Sequence, residues 1–318
     1  MAEEPDRNLA LELVRVTEGA ALAAARWMGR GDKIKADQAA VDAMRLILNT
    51  VDMHGVIVIG EGEKDDAPML FNGEELGTGD GLALDIAVDP IDGTTLTATG
   101  GPGALAVVAL AERGTMYAPG SLVYMDKIAV GPEARDVIDI NQSVAYNLHA
   151  VAHAVGKQTD DLTVMILERP RHEEMIKEVR ATGAAIRLIT DGDVAGVIHC
   201  AESEITGIDM YMGSGGAPEG VLAASALKCM GGQMWGRLLF RNDDERGRAA
   251  KAGITDLNRV YARDEMVTSD VIFAATGVTN GSILQGVKRE PHFIQTETIL
   301  MRSKTGSVRR MIYRNPVK

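Results

Sequence analysis

Between residues 162 and 230 the sequence alternates between short apolar runs and helical segments. The runs at 162–167, 185–189 and 208–212 are rich in Ile, Leu and Met, as buried strands are, and a segment with helical spacing follows each of them. This alternation is typical of βαβ units and predicts strands that run parallel in one sheet. The chain is therefore expected in the α/β class.

The N-terminal half predicts two helices and then four strands. Apolar residues recur at helical spacing over 9–28 and 37–51, and apolar runs predict strands at 56–59, 82–88, 104–111 and 121–130. The last two are expected to pair as antiparallel neighbours because their connection is short. Further strands are predicted at 271–275, 292–301 and 307–313.

The chain length and a change in the sequence pattern near residue 155 predict two domains. The chain has 318 residues, and domains average roughly 150. We expect an N-terminal α+β domain, 1–155, to carry a metal and phosphate site. A C-terminal α/β domain, 156–318, is expected to complete a sugar-phosphate site.

Charge and composition exclude several classes of partner. The chain has 33 Lys and Arg against 45 Asp and Glu, a net charge of −12, and no basic block, so nucleic acid and anionic membranes are poor partners. Its 2 cysteines are too few for a disulfide framework. The acidic start does not resemble a signal peptide, and no apolar run reaches the roughly 20 residues of a membrane span. We therefore expect a cytoplasmic protein.

The sharpest candidate site is the string Asp89-Pro90-Ile91-Asp92-Gly93-Thr94, which directly follows a predicted buried strand. Two carboxylates three residues apart suit a hard divalent cation such as Mg²⁺ or Mn²⁺. A glycine and a helix start beside them suit a phosphate group. The alternative is an ordinary capped Asp-Gly turn.

Acidic residues also follow the strand at 56–59, in the string Gly60-Glu61-Gly62-Glu63-Lys64-Asp65-Asp66. Its position indicates a site, although a solvated acidic turn is the alternative. Asp37, near the start of the second helix, is either a ligand or an acid that stabilises the helix dipole.

Three later segments carry charged residues at strand ends. Arg169 and Arg171 could clamp a distal phosphate, or these two arginines could pair with Glu173 or Glu174. Asp191 and Asp193 could accept hydrogen bonds from sugar hydroxyls, or form an Asx turn. Glu219, after a glycine-rich loop, could be a ligand or only a first-turn acid. His149 and His153 have the spacing of a zinc pair but lack the usual companion Glu, so we set them aside.

Two segments resemble the lithium-sensitive, metal-dependent sugar and inositol phosphatase superfamily: GEGEKDDAP (60–68) and DPIDGTT (89–95). Four more narrow the resemblance to bacterial class II fructose-1,6-bisphosphatases: GRGDKIKAD (29–37), RPRH (169–172), DGD (191–193) and GSGGAPEG (213–220). The similarity runs in order over most of the chain. Many members have Glu at the position of Asp92, which could shift the cation preference.

The resemblance implies an α/β (α+β) layered sandwich, a sugar-phosphatase fold with mixed sheets and helices in alternating layers. The implied metal ligands, for Mg²⁺ or Mn²⁺, are Asp37, Glu61, Asp89, Asp92 and Glu219. The implied catalytic residues, which orient the attacking water, are Thr94 and Asp65. The implied substrate-binding residues are Asp92, Gly93, Thr94, Tyr124, Arg169, Pro170, Arg171, Asp191, Gly192, Asp193 and Gly216.

The activity implied by the resemblance is hydrolysis of the 1-phosphate of fructose 1,6-bisphosphate in gluconeogenesis, by direct attack of metal-activated water. A homo-oligomer, dimer or tetramer, is also implied, with the N-terminal helix as a candidate interface. Two alternatives stay open. One is a related phosphatase acting on sedoheptulose bisphosphate, a nucleotide bisphosphate or inositol monophosphate, and the other is a non-catalytic sugar-phosphate-binding regulator.

Overall fold

A computed structural model of the chain describes residues 7–62, 69–120, 124–251 and 253–317. The chain forms two compact units. The first unit contains the residues up to Met116 together with those from Thr268 onward, and the second unit is Tyr117–Val267. This division differs from the single boundary expected near residue 155, because the C-terminal strands pair in the sheet of the first unit.

The first unit begins with α1 (Arg7–Ala24), α2 (Lys33–Leu48), β1 (Met53–Ile59), β2 (Glu75–Leu76), β3 (Leu82–Asp92), α3 (Thr94–Thr99) and β4 (Leu105–Glu112). The helical spacing in α1 is confirmed, because Leu13, Val16 and Ala20 are fully buried. Met44 and Leu48 are likewise fully buried and confirm the helical spacing in α2. The two helices pack on each other and on strands of the sheet, so their apolar faces form one core with it.

The second unit follows with β5 (Tyr124–Val130), α4 (Val144–Val155), β6 (Thr163–Leu167), α5 (Glu173–Ala181), β7 (Ala185–Ile189), α6 (Asp193–Ala201) and α7 (Ser203–Thr206). It continues with β8 (Met210–Gly216), α8 (Ala217–Met230), β9 (Gln233–Leu239), α9 (Asp243–Lys251), β10 (Val260–Ala262) and α10 (Arg263–Met266). Its sheet has the strand order β10-β9-β5-β8-β6-β7.

The parallel pairing predicted from the βαβ pattern is confirmed for β6 with β7 and for β6 with β8. The remaining described pairs in this sheet, β5 with β8, β5 with β9 and β9 with β10, are antiparallel. The sheet is therefore mixed. Strands β9 and β10 were not predicted, although buried and half-buried residues alternate along β9 as they do in a half-buried strand.

The chain then returns to the first unit with β11 (Val271–Gly277), β12 (Lys288–Arg289), β13 (Phe293–Arg302) and β14 (Ser307–Pro316). The strand order is β12-β13-β11-β4-β3-β1-β2, and β14 pairs with β13. Within this sheet β1 and β3 are parallel, and the other described pairs are antiparallel. Two mixed sheets with helices packed on them confirm the α/β (α+β) class.

The expected pairing of the strands near 104–111 and 121–130 is wrong. β4 lies between β3 and β11, so both of its hydrogen-bonding edges are occupied within the first sheet. β5 belongs to the second sheet, between β8 and β9. Among the described helices, none is both long enough and apolar enough to cross a bilayer.

Candidate active site

The acidic residues of the first unit collect where β1 and β3 end. The two strands are parallel, and Ile59 near the end of β1 is aligned with Ala87 on β3. Parallel strands place their carboxyl ends at one edge of a sheet. Glu61, which follows β1, and Asp89, near the end of β3, therefore lie at the same edge.

Close backbone packing fixes the turn that carries Glu61. A Cβ on Gly60 would lie 1.9 Å from the Leu70 carbonyl oxygen, so only glycine fits there. The Glu61 N–H donates to that same oxygen at 2.9 Å. Glu61 is half-buried, so a solvated acidic turn does not describe it. Asp65 and Glu63 lie outside the described residues.

Asp37 contacts Glu61 through its carboxyl group. The two side chains are hydrogen-bonded, and burial raises the pKa of Asp37 while the bond to Glu61 acts in the opposite direction. Asp37 is not the acid at the start of α2, because the N-cap of this helix is Asp32, whose side chain accepts from the Lys35 N–H at 3.0 Å. Asp37 lies in the next turn and faces another acid.

The string 89–94 forms a bulge and then a helix start. β3 shifts register against β4 between Asp89 and Asp92, and one Asp89 oxygen accepts from the Ile91 N–H at 3.0 Å. This hydrogen bond caps the turn, as expected for the alternative of an ordinary capped turn. Asp92 is 3% exposed, and a carboxylate in so buried a position needs polar or cationic partners.

Gly93 allows the sharp turn into α3. Its φ is +97°, and a Cβ would lie 3.0 Å from a Leu96 methyl group, so an L-residue would be strained. Gly93 is the N-cap of α3, and Thr94 is the first helical residue rather than the cap. The Thr94 hydroxyl is half-buried and donates a long hydrogen bond of 3.4 Å to the Ile91 carbonyl oxygen.

Oxygen donors from three elements thus lie at one end of the first unit. Within the described ranges, no group of three or more His, Cys, Asp or Glu side chains forms a metal cage. The donor chemistry nevertheless fits a hard cation, because one proton must sit in the hydrogen bond between the Asp37 and Glu61 carboxyl groups. A divalent cation could take the place of that proton.

In the second unit, Arg171 is anchored to β8. Its Nε donates to the Ser214 hydroxyl at 2.8 Å and its Nη2 to the Ser214 carbonyl oxygen at 2.6 Å. Glu174 pairs with Lys177 at 2.7 Å. For Arg171, the alternative of pairing with Glu173 or Glu174 is therefore not what the structure shows.

His172 completes this anchor. Its Nδ1 lies 2.7 Å from the Leu167 carbonyl oxygen, and its Nε2 accepts from the Ser214 N–H at 2.9 Å. Burial lowers the pKa of His172, so the ring is neutral with its proton on Nδ1. The histidine is part of the RPRH segment, but its role was not predicted.

Tyr124 lies beside two guanidinium groups. The Arg171 group is 5.3 Å from the ring centroid, and the Arg241 group is 4.2 Å from it. Tyr124 is aligned with Gly216 across β5 and β8. Arg169 lies 4.0 Å from Asp191. The predicted Tyr124 and Gly216 are thus neighbours, whereas Arg241 was not predicted.

Asp193 is paired with a buried lysine. It follows Gly192, which caps α6 with φ +82°, and its carboxylate accepts from Lys127 on β5. Lys127 also donates to the Gly216 carbonyl oxygen at 2.8 Å. Its place in the apolar run of β5 gave no sign of this role.

Glu219 carries an orphaned buried oxygen. Its Oε2 is buried and has no hydrogen-bond partner among the described residues. A Cβ on Gly216 would lie 1.7 Å from that oxygen. Burial raises the pKa of Glu219, as do Asp193 and Asp191, while Lys127 lowers it. A first-turn acid in solvent does not account for this arrangement, and a buried carboxylate oxygen without a partner fits a metal ligand.

The model of the family described as bacterial fructose-1,6-bisphosphatase, glpX-encoded, matches residues 7–314. The chain is 47% identical over 322 aligned positions to fructose-1,6-bisphosphatase 1 class 2 of Escherichia coli (strain K12), covering 96% of this chain and 94% of that protein. The fructose-1,6-bisphosphatase class 2 of Shigella flexneri matches with the same values.

Among solved structures, the extragenic suppressor protein suhB of Bartonella henselae matches with a TM-score of 0.35 and 17% identity, over 61% of this chain and 73% of that one. A likeness at this level supports no conclusion. The family match over residues 7–314 and the curated relatives, in contrast, show that the chain is a fructose-bisphosphatase. The chain belongs to the family of bacterial, class 2 fructose-1,6-bisphosphatases.

Proposed function

We propose that the chain hydrolyses the 1-phosphate of fructose 1,6-bisphosphate to fructose 6-phosphate and phosphate, a gluconeogenic step, by direct attack of water and with Mg²⁺ or Mn²⁺ bound. Family membership supports the reaction. The observation that carries the cation dependence is the hydrogen-bonded Asp37–Glu61 carboxyl pair at the end of β1.

The proposed cation ligands are Asp37, Glu61, Asp89, Asp92 and Glu219. When bound, divalent cations acidify water and neutralise charge on phosphoryl oxygens. The orphaned Oε2 of Glu219 supports its inclusion in the set. Asp37 and Glu61 support each other because, without a cation, they share a proton.

Thr94 and Asp65 are proposed to position the attacking water. Thr94 starts α3, next to the left-handed Gly93, so its hydroxyl is held by the helix start rather than by a mobile loop. A hydroxyl is a weak base, so we assign the proton to Asp65. Gly93 lets the backbone approach the phosphate closely.

The substrate's second phosphate is proposed to bind Arg169 and Arg171. Because Nε and Nη2 of Arg171 are held by Ser214, its guanidinium is preorganised, and a preorganised fork binds phosphate with little loss of side-chain entropy. Two guanidiniums indicate a bisphosphate, so inositol monophosphate is the less favoured alternative. Tyr124, Pro170, Asp191, Gly192, Asp193 and Gly216 are proposed to hold the sugar.

Product analysis in ¹⁸O-labelled water tests both the position and the mode of cleavage. The purified chain is mixed with fructose 1,6-bisphosphate and Mg²⁺ for a single turnover. We expect fructose 6-phosphate and phosphate carrying one ¹⁸O atom. Fructose 1-phosphate would contradict the assigned position, and unlabelled phosphate would contradict attack of water at phosphorus with cleavage of the P–O bond. A panel that includes sedoheptulose bisphosphate and inositol monophosphate ranks the alternative substrates.

We also propose a cytoplasmic homo-oligomer, a dimer or tetramer, with α1 at the interface. Leu11 on α1 is 50% exposed and Leu46 on α2 is 71% exposed, which leaves apolar surface on this pair of helices. Sedimentation equilibrium of the wild type and of Leu11→Glu tests the interface. A monomeric wild type would contradict the proposal.

A further inference from the structure

Lys127 lies in the middle of β5 and is 1% exposed. In the sheet it is aligned with Gly213 on β8 and Gly236 on β9. Burying an ammonium group is unfavourable unless it is paired and hydrogen-bonded. A lysine in this position therefore requires partners, and those partners indicate its role.

Both partners of Lys127 belong to the proposed sugar site. Its Nζ donates to Asp193 Oδ2 and, at 2.8 Å, to the Gly216 carbonyl oxygen. Asp193 begins α6, and Gly216 ends β8. One ammonium group thus ties together two elements that meet at the carboxyl end of the sheet.

A missing side chain makes the room for this contact. A Cβ on Gly215 would lie 2.1 Å from Asp193 Oδ2 and 3.1 Å from Lys127 Nζ. Glycine at position 215 therefore leaves the space that the Lys127–Asp193 pair fills.

The pair also leaves one Asp193 oxygen available. Lys127 occupies Oδ2, and Oδ1 accepts no hydrogen bond from any residue that the structure describes. A carboxylate held in this way can accept a hydrogen bond from a sugar hydroxyl through Oδ1.

We propose that Lys127 is a positioning residue for the sugar part of the substrate. It holds the Asp193 carboxylate in place, with Oδ1 turned to a substrate hydroxyl, and fixes the Gly216 peptide beside Tyr124. The inference rests on the proposed function, since it assigns the ligand of Asp193 as a sugar phosphate.

The test compares Lys127→Met with Lys157→Met. Lys157 also pairs with a buried aspartate, Asp209, at 2.5 Å, but at the opposite end of β8. Both variants should lower the melting temperature, because each leaves a buried carboxylate without its cation. Only Lys127→Met should raise KM for fructose 1,6-bisphosphate and the calorimetric Kd of fructose 6-phosphate, by about tenfold to a hundredfold, with kcat changed much less.

Unchanged KM and Kd in a folded Lys127→Met variant would overturn the inference, as would an equal rise in Lys157→Met. If Lys127→Met does not fold, the charge-balanced Lys127→Met/Asp193→Asn variant is compared with Asp193→Asn. Positioning through Asp193 predicts the same KM within about threefold, and a larger difference contradicts it. A wild type that does not hydrolyse fructose 1,6-bisphosphate contradicts the proposed function instead.

Discussion

The Asp37 carboxyl group on α2 is hydrogen-bonded to the Glu61 carboxyl group just beyond β1. The two acids are far apart in the sequence and come from a helix and a strand end. Two carboxyl groups form such a bond only when one of them is protonated. The contact therefore links protonation and stability to the proposed cation binding at one position.

Cation binding should stabilise the protein more at high pH than at low pH. Burial raises the pKa of Asp37 above its usual value of 3.8. The folded chain therefore holds this proton more tightly than the unfolded chain, and without a cation stability falls as pH rises through the raised pKa. A cation at 100 times its Kd should contribute about 2.7 kcal/mol.

Thermal melts with and without Mg²⁺ or Mn²⁺ from pH 5 to pH 8 test this expectation. The Tm increase caused by the cation should grow with pH in the wild type and should be small in Asp37→Asn. Asp42→Asn, which changes an exposed acid on the same helix, is the control and should behave as the wild type does. A Tm increase that does not change with pH would count against the proton shared with Glu61.

Arg171→Ala should weaken binding of a bisphosphate more than it slows the chemical step. Loss of a charged hydrogen-bonding group removes about 1.5–3 kcal/mol, so KM should rise about tenfold to a hundredfold while kcat changes little. A monophosphate substrate should be less affected. Steady-state kinetics on both substrates decides this, with the exposed Arg180→Ala as control. An equal loss on both would place Arg171 near the reacting phosphate.

Neutral His172 should make the protein acid-sensitive. Burial lowers the pKa of His172, so below pH 6.5 the unfolded chain takes up a proton that the folded chain does not. Stability is then lost as pH falls from 6.5 through the lowered pKa, by at most about 1.4 kcal/mol per pH unit. Urea unfolding at several pH values gives the free energy of unfolding at each pH. The decrease of this free energy with falling pH should be smaller for His172→Gln than for the wild type. An identical decrease in both proteins would mean that His172 does not contribute to the acid sensitivity.

Gly216→Ala should abolish activity with little effect on stability. The φ of Gly216 is −61°, which alanine adopts easily. The added Cβ would, however, lie 1.7 Å from Glu219 Oε2 and would therefore displace that carboxylate. The control, Gly247→Ala, adds a Cβ to an open site on α9 and should stabilise the protein by about 0.5–1 kcal/mol without changing kcat. A fully active Gly216→Ala enzyme would argue against Glu219 as a ligand.

Thr94→Ala should lower kcat by about 10²–10⁴-fold, the usual contribution of positioned proton transfer. Thr94→Ser keeps the hydroxyl and should retain measurable activity. Thr95→Ala, at the exposed neighbouring position, should be mild. Measurement of kcat and substrate affinity for all three variants checks the assignment, and an active Thr94→Ala enzyme would refute it.

Residues at strand ends could be predicted, because an apolar run followed by glycine and acids marks both the strand and its carboxyl end. This logic placed Glu61 and Asp89 directly after predicted buried strands, and the parallel pairing of β1 with β3 brings them to one edge of a sheet. The strand pairing could not be predicted in the same way. β4 and β5 are neighbours in sequence but have different partners, because pairing depends on which edges the remaining strands occupy.

The partners inside the site were also beyond the sequence patterns. Lys127 lies in a largely apolar strand. Nothing in the neighbouring sequence indicates that it pairs with Asp193, which is far along the chain. Ser214 and His172 lie within segments that were recognised, yet their joint anchoring of Arg171 depends on how β6 and β8 are aligned. Such contacts between distant segments depend on the fold and not on local spacing.

Phosphate release from fructose 1,6-bisphosphate after exhaustive chelation tests the proposed cation-dependent hydrolysis. The chelated wild type should release no phosphate, and added Mg²⁺ or Mn²⁺ should restore the rate. Asp89→Ala should stay inactive at every cation concentration, since it removes the carboxylate of a proposed ligand at the end of β3. Full activity of the chelated enzyme, or a near-wild-type rate for Asp89→Ala, would contradict the proposed site.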